Sequence, residues 1–200
     1  TLKNFSKKNK INFTSSPFSV ERATFLCENL KLKTIKIASC KMTNIPLLKY
    51  LNKNCETIFL STGASNIMEI KDSLKKLSNV DVKILHCVSE YPLKYQNANL
   101  RAIELLKDKF PNNEIGYSDH AIGNLASLTA ISLGATIIEK HFTLDKSHEG
   151  TDHILSATKN ELKELRITGD NIFLLRGSRE KNPSKIEKKI KYFIRNRLKD

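Results

Sequence analysis

G-Y-S-D-H-A-I-G-N-L-A-S-L-T-A-I-S-L-G-A-T-I-I-E-K-H-F-T-L-D-K-S-H-E-G-T-D-H-I-L-S, from Gly116 to Ser156, parses as strand, helix, strand and loop. Ile115 to Ser118 reads as a short strand that ends at Asp119 and His120. Leu125, Leu128 and Ile131 recur at helical spacing, and Gly134 is a natural stop for that helix. Thr136 to Phe142 reads as the second strand. Strands joined by one helix should run parallel, which places their carboxyl ends on the same side.

Polar clusters occupy both of those ends. Side chains alternate along a strand, so Ser118 and His120 point one way, and Glu139 and His141 share a face with Ile137. Two histidines at neighbouring strand ends, with a carboxylate two residues before one of them, can form an open metal site. The same residues also read as two partly exposed loop histidines with surface acids. The spacing by itself leaves both open.

Outward from this stretch the alternation of strand and helix continues. Lys10 to Ser15 is expected as a strand. Ser19 is expected to cap a helix from Val20 to about Leu30. Thr34 to Ala38 is expected as a strand with Ile35 and Ile37 on one face and Lys36 on the other. A lysine on an inner face needs an anion beside it; an edge strand with an exposed lysine is the other reading. Pro46 to Leu51 is a short helix and Thr57 to Ser61 a strand. Asn66 and Glu69 make a capping box for a helix to about Leu77. Val82 to Val88 has the apolar run of a covered parallel strand. A helix from about Ala98 must end before Pro111. Thr158 and Glu161 box a last helix through about Leu175.

That gives six strands in 200 residues, enough for one domain with a sizeable core. Counting alone allows an open doubly wound sheet, although no glycine-rich dinucleotide loop accompanies it. The net charge of +13 favours anionic ligands. Its lysines are scattered among acids, with no recognition motif or aromatic interleaving, so nucleic acid is not expected as a partner. The polar N-terminus and the lack of a long apolar run lead to the expectation of a cytoplasmic protein with no membrane contact. Cys27, Cys40, Cys55 and Cys87 show no metal-type spacing and read as free thiols. Residues 181–200 differ in kind: Ile186, Ile190, Phe193 and Ile194 among Lys and Arg suggest a basic amphipathic helix.

Three motifs in order, G-Y-S-D-H, I-E-K-H-F-T-L-D-K and G-T-D-H, closely resemble the signature of the sialic acid synthase family, which includes N-acetylneuraminate synthase and its legionaminic and pseudaminic acid relatives. L-H-C-V-S-E-Y-P and F-L-S-T-G extend the resemblance upstream. It implies a TIM (β/α)8 barrel, incomplete here, with residues 1–180 as part of the barrel and its first two strands missing. It further implies that residues 181–200 link toward an antifreeze-like domain that this chain lacks.

The resemblance implies condensation of phosphoenolpyruvate with N-acetylmannosamine to give N-acetylneuraminate and phosphate. The alternatives are a synthase for legionaminic or pseudaminic acid, or a truncated, non-catalytic remnant. A divalent metal, Mn2+ or Mg2+, would be held by His120 and His141. Ser118 and Ser39 would donate to phosphoenolpyruvate, Lys36 would pair with its charge, and Ser16 would stand in S-S-P-F at the same site. Ser89 and Tyr91 would lie where the substrates meet, and Glu139 and Asp152 would bind the sugar. The partner implied is a second copy in a homodimer. Where the family usually reads S-G-E, this chain has Ser39-Cys40-Lys41, a cation in place of a carboxylate.

Overall fold

The computed structural model describes residues 1–178 and 180–197. Five strands form one parallel sheet: β1 (Thr34–Ile37), β2 (Thr57–Ser61), β3 (Asp81–Cys87), β4 (Ile115–Asp119) and β5 (Ile138–Lys140). Their order in the sheet is their order in the chain. A doubly wound sheet reverses its order at a switch point. This one does not, so the open doubly wound alternative falls away and the sheet is a curled half-barrel.

Helices fill the crossovers. α1 (Leu2–Lys8) and α2 (Val20–Thr24) precede β1, and α2 continues as a wider turn through Phe25–Asn29. α3 (Ile45–Asn54), α4 (Ile67–Lys76), α5 (Ala102–Lys109) and α6 (Leu125–Ser132) join successive strands, and α7 (Lys159–Arg176) follows β5. The caps explain several starts. The Ser19 hydroxyl accepts from the Arg22 N–H, and both expected capping boxes, Asn66 with Glu69 and Thr158 with Glu161, are formed. Gly134 follows α6 at φ 111°, a conformation that favours glycine.

The register sorts the two faces. Ile37, Leu60, Ile84 and Ile115 lie side by side, all buried against the helices with Leu47, Leu51, Ile70 and Ile103. The concave face carries Lys36, Phe59 and Lys83 in one row, then Ser61, Leu85 and Gly116, then Cys87, Ser118 and Glu139 toward the carboxyl ends. Polar side chains on that inner rim are what set a site there.

Three expectations need correction. Lys10 to Ser15 is not a strand, so the ladder has five members. Lys10 sits at φ 57°, and the segment meets the edge of β1 through a main-chain bond from Lys36 to the Ser15 carbonyl (3.2 Å) and the Thr14 hydroxyl donating to Thr34 (2.9 Å). Two such bonds hold a chain against an edge without building a ladder. α5 starts at Ala102, not Ala98, because a tight turn at Tyr95–Asn97 and Asn99 at φ 43° intervene. β5 is shorter than Thr136 to Phe142. Beyond Lys140 the chain changes neighbours: the Ala157 N–H donates to the His141 carbonyl (2.7 Å) and the Thr143 N–H to the Ala157 carbonyl (3.0 Å).

The basic tail forms α8 (Lys185–Asn196), with Ile186, Ile190, Phe193 and Ile194 exposed. Arg179 and residues 198–200, which fall in the expected barrel and linker, lie outside the described residues. No helix among the described residues is long and apolar enough to cross a membrane.

Candidate active site

A cavity of about 650 Å³ opens at the carboxyl ends of the strands. All the candidates from the sequence except Asp152 line it: Ser16, Lys36, Ser39, Ser89, Tyr91, Ser118, His120, Glu139 and His141. They come from β1, β4 and β5, from the turns that follow β1, β3, β4 and β5, and from the segment beside β1. The carboxyl end is where parallel strands of this kind place their sites.

Glu139 is the hub. Its Oε2 accepts from the Ser118 hydroxyl (2.6 Å) and the Ser61 hydroxyl (3.4 Å), and pairs with Lys36 Nζ (3.2 Å). Lys36 is 9% exposed, so its charge is nearly withdrawn from water and its carboxylate partner offsets that loss. The edge-strand reading of Lys36, with its ammonium in solvent, is therefore set aside.

His120 and His141 face each other across the mouth, with ring centroids 5.5 Å apart. Tyr91 lies against His120 at 4.0 Å between centroids. His120 Nδ1 is 2.9 Å from the Val88 carbonyl. A carbonyl only accepts, so Nδ1 carries the hydrogen and Nε2 keeps its lone pair. Burial pushes the His120 imidazole below its ordinary value, which favours the neutral ring. A neutral imidazole with a fixed tautomer is the form that binds a metal ion. His141 Nδ1 stands 3.8 Å from Asp152 Oδ2, so Asp152 meets the site through His141 and not through the cavity wall. Among the described residues no group of three His, Cys, Asp or Glu side chains converges on one point. The two imidazoles are thus a partial ligand set, which fits an ion that keeps positions open for water or substrate.

The Ser39 hydroxyl accepts from the Gly63 N–H (2.9 Å), close to Cys87 Sγ (3.6 Å). A Cβ on Gly63 would fall 2.9 Å from Ser39 Oγ and closer still to Ser89 Oγ, so glycine there lets the two serines approach. Cys40 lines the cavity, and Lys41 Nζ lies 5.7 Å above the Phe18 ring at its rim. His86 is buried and bonded to the Ala98 carbonyl, His148 is exposed, and His153 meets the Thr143 hydroxyl; none reaches the cavity.

Several residues of the site were not picked out from the sequence. Ser61 was read only as a strand end, yet it occupies the inner face two residues after Phe59. Asp119 and Lys140 were passed over beside the histidines. They point to the opposite face, where they form an ion pair of 2.9 Å with side chains 0% and 2% exposed. The signal was available: in S-D-H and E-K-H, the middle residue must face away from its neighbours.

The chain matches the NeuB family over residues 1–181. It is 42% identical to N,N'-diacetyllegionaminic acid synthase of Campylobacter jejuni over 198 residues, covering 96% of this chain and 59% of that protein. It is equally 42% identical to an uncharacterized protein of Methanocaldococcus jannaschii, over 94% of this chain and 56% of that one. The crystal structure of N-acetylneuraminic acid (sialic acid) synthetase from Leptospira borgpetersenii superposes with a TM-score of 0.91 at 36% identity, covering 99% of this chain and 69% of that one. The chain spans about half the length of the curated relatives it matches. On the strength of these matches, it belongs to the NeuB family.

Proposed function

We propose that this chain is the catalytic part of a nonulosonic acid synthase, five strands of a (β/α)8 barrel that joins phosphoenolpyruvate to the aldehyde of an N-acylamino sugar and releases phosphate. The observation that carries the proposal is the convergence of Lys36, Ser118, Glu139, His120 and His141 on one cavity. In the reaction the enol carbon bonds to the aldehyde carbon, a water supplies the new oxygen, and phosphate departs.

Lys36 and the hydroxyls of Ser16, Ser39, Ser89 and Ser118 supply the cation and donors that a phosphate and a carboxylate require. Their placement on the ends of rigid strands keeps them aimed before substrate arrives. Glu139, and Asp152 through its place beside His141, accept from sugar hydroxyls. Tyr91 holds the His120 ring by contact. His120 and His141 would hold Mn2+ or Mg2+, which would supply Lewis-acid polarisation of the aldehyde.

The sugar in this reading is N-acetylmannosamine, with N-acetylneuraminate as product. The identity to the Campylobacter jejuni enzyme favours a second reading, a diacetamido sugar leading to legionaminic acid. Phosphate release from phosphoenolpyruvate, followed with each sugar and Mn2+, separates them. Release that needs both sugar and metal is expected. No release with either sugar above a metal-free control overturns the catalytic reading.

A further inference from the structure

The site's two histidines sit on different strands, and one ion pair behind them ties those strands together. Lys140 immediately precedes His141. Its ammonium donates to Asp119 Oδ2 (2.9 Å) and to the Ala121 carbonyl (2.7 Å), the residues on either side of His120. Asp119 is itself fixed: its Oδ1 accepts from the Ala121 N–H (2.8 Å) and its Oδ2 from the Ser127 hydroxyl of α6 (2.5 Å). The His120 carbonyl accepts from the Leu93 N–H (2.9 Å), and the ring is held at Val88. Neither Asp119 nor Lys140 is needed to hold β4 to β5, which already pair from Tyr117–Ile138 to Asp119–Lys140 through the backbone.

From this we infer that Asp119 and Lys140 are positioning residues, which set the separation and orientation of the His120 and His141 rings through one buried clamp. A buried charge pair is weak evidence for stability, because apolar or neutral residues of similar size often serve as well. Its use here is geometric. The lysine reaches past its own histidine to grip both neighbours of the other, so the two rings cannot drift independently. The inference rests on reading His120 and His141 as a working pair, but its main test does not require a metal.

The test compares wild type with Lys140→Met and Asp119→Asn/Lys140→Met by nuclear magnetic resonance of the imidazole rings, alongside Mn2+ titration. The double variant leaves no unpaired buried charge, so it decides the matter if the single variant fails to fold. In wild type, His120 should show one tautomer with the hydrogen on Nδ1, and proximity signals to His141. In the folded double variant those proximity signals should fade and the tautomer should average, while His86, on the same outer face of the sheet, stays unchanged. Mn2+ affinity should fall by about 10–100-fold, the scale expected when groups that orient metal ligands are lost. A folded variant that keeps the His120 tautomer and the His141 contact overturns the clamp. Wild type that shows the ring contacts but takes up no Mn2+ overturns the cation reading instead, and the ring signals still decide the clamp.

Discussion

Removing the Asp119 carboxylate should be among the most damaging single changes in this chain. Asp119→Ala leaves the Lys140 ammonium, 2% exposed, with only the Ala121 carbonyl, and strips an acceptor from the Ser127 hydroxyl and the Ala121 N–H. Breaking a buried pair from one side costs about 3–5 kcal/mol, because the remaining charge stays out of water. Domains have about 5–15 kcal/mol in all, so roughly a fifth or more of the stability is at stake. At about 2–4 °C per kcal/mol for a chain of this size, the melting temperature should fall by roughly 6–20 °C. Urea unfolding followed by circular dichroism measures the free-energy loss, and a thermal melt measures the shift in melting temperature. Adding Lys140→Met to Asp119→Ala should restore at least about 1 kcal/mol, since the orphaned charge is gone. Arg166 and Asp170 are an internal control at the same 2.9 Å, but with side chains 79% and 56% exposed. Arg166→Ala should change stability by no more than about 0.5 kcal/mol. If Asp119→Ala costs under about 1 kcal/mol, or no more than Arg166→Ala, the reasoning about burial is refuted.

Other outcomes follow from the same structure. Cys40 is exposed while Cys27, Cys55 and Cys87 are buried, and burial pushes the Cys55 thiol up to about 12. A thiol reagent should therefore label Cys40 alone in the native protein, and fast labelling of Cys55 would contradict its burial. Burial also holds His86 below its ordinary value of 6.5, against the opposing bond to Ala98. The unfolded chain then takes up protons before the folded one does. The stability is fully present above about pH 6.5 and declines as pH falls below it, and His86→Gln should flatten that decline in pH-dependent melts. At Gly116 an added Cβ would stand 2.7 Å from the Ile137 carbonyl oxygen and 2.8 Å from Ile137 Cβ. Gly116→Ala should lose about 1–3 kcal/mol by wedging β4 from β5, and an unchanged melting temperature would show that the strands yield freely.

Much of this was legible in the sequence where a local rule had one dominant answer. Asn66 with Glu69 and Thr158 with Glu161 marked two helix starts because their reciprocal bonds need only four residues. The parity of S-D-H and E-K-H put His120, Glu139 and His141 on the inner side, and they meet there. What escaped was set by distant contacts. α1 has no side-chain cap and buries nothing, so no pattern in Leu2–Lys8 announced it. The extended run before Pro17 looked like a strand, but whether it joins a ladder depends on its neighbour's edge. Asp119 and Lys140 carried no mark, because a residue's own spacing does not reveal an oppositely charged partner 21 residues away behind the same sheet. Alternation gave the face of each residue; the pairing required the fold.

We propose that His120 and His141 hold one divalent cation beside Lys36 and Ser118, which bind the anion. Crystals of the chain grown with Mn2+ and phosphoenolpyruvate, measured for the anomalous signal of manganese, test it directly. One strong peak bonded to His120 Nε2 and to the His141 ring is expected, with phosphoenolpyruvate against Lys36. A peak elsewhere, or none at those rings with manganese in excess, would contradict it.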